Sequence, residues 1–117
     1  MLLADMGADV IKVEPPTGDG LRQWPPLNAG YSKNFASLNR NKKSVLLDLK
    51  SPADVELARL LIMDSDIVIE NHRPGVMNRL GLGYPSFAEV HPNLLYCSIS
   101  AFGQTGPRAA EAKAASI

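Results

Sequence analysis

Five consecutive residues, Asn39, Arg40, Asn41, Lys42 and Lys43, place three cations and two amides just before a run of strand-forming residues. That set suits a phosphate-bearing ligand, because arginine offers a planar fork of donors and lysine a mobile point charge. It also describes a solvated turn whose charges blunt a strand edge, the reading that composition alone favours. A second cluster, Asn71, His72, Arg73, Pro74 and Gly75, is followed by Arg79 one turn into a short helix. It stands where a strand ends and a helix begins, the side on which open α/β sheets take ligands, and a helix start attracts anions. An ordinary turn punctuated by Pro and Gly fits it equally well. His72 by itself reads more readily as packing than as catalysis, and no partner spacing indicates a metal site. The third segment, Phe102 to Pro107, carries two glycines around polar residues. It permits close backbone approach to a ligand, and equally a plain tight turn. Gly81-x-Gly83 lacks the third glycine of a dinucleotide fingerprint, and no Gly-x-Ser-x-Gly elbow or His-Glu-x-x-His segment is present. Asp48, Asp66 and Glu70 flank strands and read as structural.

The elements that must position these residues follow from periodicity and punctuation. Residues 1–6 read as the last turns of a helix closed by Gly7. Residues 9–14 read as a strand halted by Pro15 and Pro16. A helix-to-strand opening is unusual for an α/β domain, so a further strand is expected upstream. Residues 15–38, rich in Pro, Gly, Asn and Ser, read as a long irregular connection, which compact domains seldom use without a functional reason. A strand is expected over 43–49. A helix then starts at Ser51 as N-cap with Pro52 at its first position and Asp54 completing a capping-box pattern. Val55, Ala58, Leu61 and Ile62 share its apolar face. Residues 66–70 read as a short buried strand, and strand, helix and strand together predict a parallel pair with a right-handed crossover. Short helices are expected up to Leu80 and from Pro85, then a last strand over 94–100. The Ala-rich stretch 108–116 permits helix but has no apolar face with which to dock.

Composition narrows the class. A chain of 117 residues suits one domain at most. Twelve basic residues balance twelve acidic ones, which argues against a nucleic-acid or anionic-membrane partner. The single cysteine, Cys97, excludes an intramolecular disulfide framework and reads as a buried, inert thiol. With no secretory pattern at the start, a cytoplasmic location is expected.

Four segments in order, GADVIKVEPPTGD, LNRNKKSVLLDLK, DIVIENHRPGVMNRLGLGY and LLYCSISAFGQTGP, resemble the class III CoA-transferases, the CaiB/BaiF family. That family includes formyl-CoA and carnitine CoA-transferases and α-methylacyl-CoA racemase. The resemblance covers residues 1–111 and implies an α/β fold, an incomplete part of a large CoA-binding domain built on a Rossmann-like parallel sheet. Residues 112–117 would be a divergent tail. It further implies coenzyme A as co-substrate without a metal, an acyl-CoA and a carboxylic acid as partners, and interlocked homodimers. By position in the family pattern, Asn39, Arg40, Asn41 and Lys42 would lie along the CoA adenosine and phosphates. Asn71, His72 and Arg73 match the loop that contacts CoA, and Arg79 the arginine near its phosphates.

The resemblance also implies a mechanism. An Asp in a Gly-aromatic-Asp context attacks the acyl-CoA thioester, giving a mixed anhydride and CoA thiolate. The thiolate returns to form an aspartyl-CoA thioester, and the acceptor acid completes the exchange. Three departures stand out. The family's first strand and its loop have no counterpart before Met1. The position after Glu14, Arg in some members, is Pro15. By position in the family pattern the nucleophile would fall at 113–115, which read Lys, Ala, Ala. No catalytic residue is therefore expected in this chain, and Glu111 is too displaced to substitute. The alternatives are a non-catalytic CoA-binding or dimer-partner module, or part of an acyl-CoA racemase. The open edge of residues 10–13 predicts a marginal, association-prone chain.

Overall fold

Alternating β-branched and charged residues after a helix-closing glycine set the first strand. The computed structural model describes residues 1–111 and divides into two compact units, Met1–Leu49 and Lys50–Ile117. In the first, helix α1 (Leu2–Asp5) ends at Gly7, whose φ of +102° is open to glycine without strain. Strand β1 (Val10–Glu14) follows. The stretch expected to be an irregular connection is built instead. It holds a 3₁₀ turn (Gly20–Gln23), a two-residue antiparallel ribbon of β2 (Leu27–Asn28) with β3 (Tyr31–Ser32), and helix α2 (Lys33–Asn39). Its signals are local caps and a turn pair, not periodicity. The Asp19 carboxylate caps the 3₁₀ turn by accepting from the Leu21 N–H at 2.9 Å, and Ser32 Oγ caps α2 by accepting from the Phe35 N–H at 3.2 Å. Ala29 and Gly30, both with positive φ, make the tight turn of the ribbon. Strand β4 (Lys42–Leu46) lies parallel to β1, in register from Val10 opposite Lys42 to Glu14 opposite Leu46. Phe35, Leu47 and Ala4 are buried in this unit, together with the polar Glu14 and Ser32.

The second unit opens on α3 (Pro52–Met63), which starts at the predicted Ser51 and Pro52. Ser51 provides its carbonyl to the Val55 N–H at 3.0 Å, but its hydroxyl does not cap the helix as the sequence pattern led us to expect. Ala58 and Ile62 are buried and Val55 and Leu61 half-buried, the face read from spacing. Strand β5 (Ile67–Glu70) pairs in parallel with β6 (Leu95–Ser98), Ile67 opposite Leu95 through Glu70 opposite Ser98. The expected strand–helix–strand pair is thereby corrected: β4 takes β1 as its neighbour and β5 takes β6. Between β5 and β6 stand helix α4 (Val76–Arg79), flanked by Gly75 and Gly81 at positive φ, and a 3₁₀ turn (Tyr84–Ser86) in place of the second expected helix. Ala58, Ile62, Leu82, Phe87 and Leu94 are the buried apolar residues among those described in this unit.

Two burial expectations are corrected here. Ile67 and Ile69 of β5 are 47% and 54% exposed, and Leu95 of β6 is 65% exposed. Cys97 is exposed as well. Alternation explains the set: Ile67, Ile69, Leu95 and Cys97 share one face of the two-stranded sheet. Residues 108–111 form a turn held by an Arg108–Glu111 ion pair at 2.9 Å. The tail at 112–117, including positions 113–115, lies outside the described residues.

Candidate functional site

The face of β1 that carries Val10, Lys12 and Glu14 continues across the ladder to Lys42, Ser44 and Leu46. Over it lies a cavity of about 210 Å³ lined by Lys12, Glu14, Arg22, Tyr31, Phe35, Asn39, Lys42, Lys43 and Ser44. Glu14 is closed off from solvent, and its carboxylate accepts four hydrogen bonds. Arg22 donates through Nε and Nη2 at 2.8 Å each, the Asp19 N–H at 2.8 Å and Ser44 Oγ at 2.7 Å. These donors, the Arg22 fork foremost, outweigh the cost of burial and hold the Glu14 carboxyl down at about 2. Asp19 pairs with Lys12. The Lys12 ammonium also donates to Asn39 Oδ1 at 2.9 Å, and Lys42 Nζ donates to the same oxygen at 3.0 Å. Phe35 is flanked by the Arg22 guanidinium at 4.0 Å and the Lys12 ammonium at 5.1 Å, with Tyr31 edge-on at 6.4 Å between ring centres.

The four residues of this unit that the resemblance sets along CoA, Asn39, Arg40, Asn41 and Lys42, divide two and two. Asn39 and Lys42 line the cavity. Arg40 and Asn41 instead engage Asp5: Arg40 Nη2 at 2.5 Å from Oδ2, and Asn41 Nδ2 donating at 2.8 Å to Oδ1. Asn41 is left-handed at φ +62°, which reverses the chain between α2 and β4. The Arg40 fork lowers the Asp5 carboxyl below its ordinary range.

The remaining four belong to the second unit. Asn71 follows β5 directly and is half-buried. His72 is exposed, and its N–H donates to Glu70 Oε2 at 2.8 Å. Arg73 lines a second cavity, of about 200 Å³, with Glu70, Tyr84, Tyr96, Ser98 and Gln104. It opens at the carboxyl ends of β5 and β6, where parallel sheets take ligands. Arg79 folds back over Gly75, where an added Cβ would stand 3.1 Å from its Nη1. The Tyr96 hydroxyl donates to the Leu82 carbonyl at 2.7 Å, and burial, with a smaller contribution from the Glu70 charge, pushes it up to about 12. The Phe102–Pro107 turn reaches this cavity through Gln104, and Arg108 stacks on Phe102 at 3.8 Å.

Sequence reasoning passed over Lys12, Glu14, Asp19, Arg22 and Ser44. A signal existed: Lys12 and Glu14, two apart in an otherwise apolar strand, must point to the same face. Among the described residues, no three His, Cys, Asp or Glu side chains converge as a metal site, and no helix is long and apolar enough to cross a membrane.

The family model described as CoA-transferase family III matches residues 1–115. The chain is 45% identical over 109 residues to succinyl-CoA:glutarate CoA-transferase of Homo sapiens, covering 92% of this chain and 25% of that protein. It is 44% identical over 109 residues to acetyl-CoA:oxalate CoA-transferase of Acetobacter aceti, covering 92% of this chain and 28% of that protein. The crystal structure of a CaiB/BaiF family protein from Brucella suis aligns with a TM-score of 0.87 at 43% identity, over 94% of this chain and 30% of the other. The chain thus spans about a quarter of the length of these curated relatives.

Proposed function

The chain belongs to CoA-transferase family III, and from that premise we propose that it supplies nucleotide-binding residues to an enzyme that moves coenzyme A from an acyl-CoA thioester to a carboxylic acid. The observation that carries the reading is the charge balance of the first cavity. Three of its four cations face carboxylates: Lys12 faces Asp19, Arg22 faces Glu14, and Lys43 faces Asp9. Lys42 is joined to none among the described residues, so the cavity keeps a positive charge beside the exposed ring of Tyr31. That combination suits the phosphates and base of a nucleotide. In this reading Asn39 and Lys42 contact the nucleotide end of CoA, Arg40 and Asn41 shape the turn that presents them, and Asn71, His72, Arg73 and Arg79 contribute further CoA contacts.

Residues 1–117 contain no Gly-aromatic-Asp, so in this reading the chain alone binds CoA without transferring it. Glu111 is a poor substitute nucleophile, because both of its carboxylate oxygens are occupied by Arg108 at 2.9 Å. The acceptor proposed for the whole enzyme is a dicarboxylic acid, the class for which the glutarate and oxalate relatives are named. Those names favour transferase over racemase. The exposed apolar face of β5 and β6 supports a second reading, a module that pairs with another chain of the family.

Titration calorimetry of the chain with CoA tests the proposal. Binding is expected, and Lys42→Ala weakens it about tenfold, the value of a hydrogen bond to a charged group. No heat with CoA, or affinity indifferent to Lys42→Ala, would refute the reading. Exchange between succinyl-CoA and glutarate by this chain, abolished by Glu111→Ala, would refute the absence of catalysis.

A further inference from the structure

The sheet of β5 and β6 turns Val68 and Glu70 to the face opposite Ile67 and Ile69, with Tyr96 and Ser98 beside them across the ladder. Glu70, Tyr96 and Ser98 line the second cavity together with Arg73. A carboxylate and a guanidinium in one cavity ordinarily pair, yet among the described residues no ion pair joins Glu70 to Arg73. The Glu70 carboxylate is engaged by the backbone instead, Oε2 accepting from the His72 N–H at 2.8 Å. The chain is anchored on both sides of that bond. The Glu70 carbonyl accepts from the Ile99 N–H at 2.8 Å, which fixes the end of β5. The Arg73 carbonyl accepts from the Val76 N–H at 3.1 Å and the Gly75 carbonyl from the Arg79 N–H at 3.0 Å, which fix the start of α4. His72 lies between the two anchors, and its N–H bond to the Glu70 side chain sets the path of the loop there.

We infer that Glu70 is a positioning residue for coenzyme A: its carboxylate holds the loop of Asn71, His72 and Arg73 in one shape and leaves the Arg73 guanidinium to the ligand. The inference rests on the reading that this loop contacts CoA, and adds to it a residue whose place at a strand end reads as structural in the sequence. A loop without that bond is ordered only when the ligand arrives, and the ordering lowers affinity. Charge works the other way, because a carboxylate beside the site repels phosphates. The two effects of Glu70 have opposite signs, so substitution separates them. Methionine keeps the length of the side chain and removes both the acceptor and the charge, whereas glutamine removes the charge and keeps an acceptor.

The experiment is calorimetric titration of the full chain with CoA, for the unaltered protein and for Glu70→Met, Glu70→Gln, Arg73→Ala and the double variant Glu70→Met with Arg73→Ala. Amide hydrogen exchange of each protein without ligand accompanies it. Glu70→Met is expected to weaken CoA roughly tenfold and to speed exchange at the His72 N–H, with the other β5 and β6 amides unchanged. Glu70→Gln should restore most of the affinity and the protection of His72. Arg73→Ala weakens CoA by itself, and adding Glu70→Met to it should cost much less than tenfold, because the loop then has less to present. Glu70→Ala is the second truncation should the methionine variant not fold. Tighter binding in both Glu70→Met and Glu70→Gln would show that only the charge acts, and would overturn the inference. Unchanged affinity in Glu70→Met, a loss that glutamine does not rescue, or a full tenfold loss added to that of Arg73→Ala would overturn it as well. Failure of the unaltered chain to bind CoA, or no effect of Arg73→Ala, would instead refute the reading on which it rests, whatever His72 exchange shows.

Discussion

Replacing Glu14 with glutamine should alter the acid stability of the chain in a way that isolates one carboxylate. In the folded protein this carboxyl is held at about 2 against an ordinary 4.5. A depressed carboxyl stabilises the fold above the unfolded-state value and loses that contribution as pH falls toward the folded one. Taken in full, the shift corresponds to about 3 kcal/mol. The Glu14 side chain is 0% exposed, but its Arg22 partner is 35% exposed. Water therefore reaches the pair, and about 1–2 kcal/mol is the expected figure. Urea unfolding followed by circular dichroism, from about pH 7 down to about pH 2, should show Glu14→Gln less stable by that amount near neutrality. The gap to the unaltered protein should close between about pH 4.5 and pH 2. Asp5 and Asp19 are also depressed, so both proteins lose stability in acid, and only the difference between them reports Glu14. A gap that stays constant across the range, or a carbon-13 carboxyl titration of Glu14 centred near 4.5, would refute the reasoning.

Three further outcomes are expected. Ultraviolet titration should show one tyrosine ionising near 12, and Tyr96→Phe should remove that step; the stability tied to this hydroxyl is present below about 10 and lost as pH rises through the folded value. Persistence of the step in Tyr96→Phe would contradict the assignment. Cys97 should react with an aromatic disulfide reagent in the native chain without denaturant, because it is exposed; reaction only after denaturant would contradict its exposure. Sedimentation velocity should show self-association that grows with concentration, and Ile69→Lys should reduce it by placing a charge in the exposed face of β5. Equal association of the variant would show that another surface is responsible.

Much of the local structure was legible from residues alone, because caps, breakers and periodicity act within a few positions. Ser51 and Pro52 mark the start of α3, and Gly7 and Gly81 mark helix ends. Each of the four longer strands falls inside the segment read for it or one residue beyond. The motif order also pointed to the family that the chain belongs to. In the site, Asn39 and Lys42 were singled out from their chemistry and both line the first cavity. What tertiary structure decided was every relation between distant segments. Pairing β4 with β1 requires closing the stretch 15–41, a choice set by long-range packing and loop-closure entropy that no local signal carries. Arg40 turns to Asp5 although thirty-five positions separate them. Glu14 becomes a buried acceptor only because Asp19, Arg22 and Ser44 converge on it from three other places in the chain. Residue types determined which groups could bind a phosphate; the fold determined which of them face the same cavity, because burial and charge pairing depend on neighbours that the sequence does not place side by side.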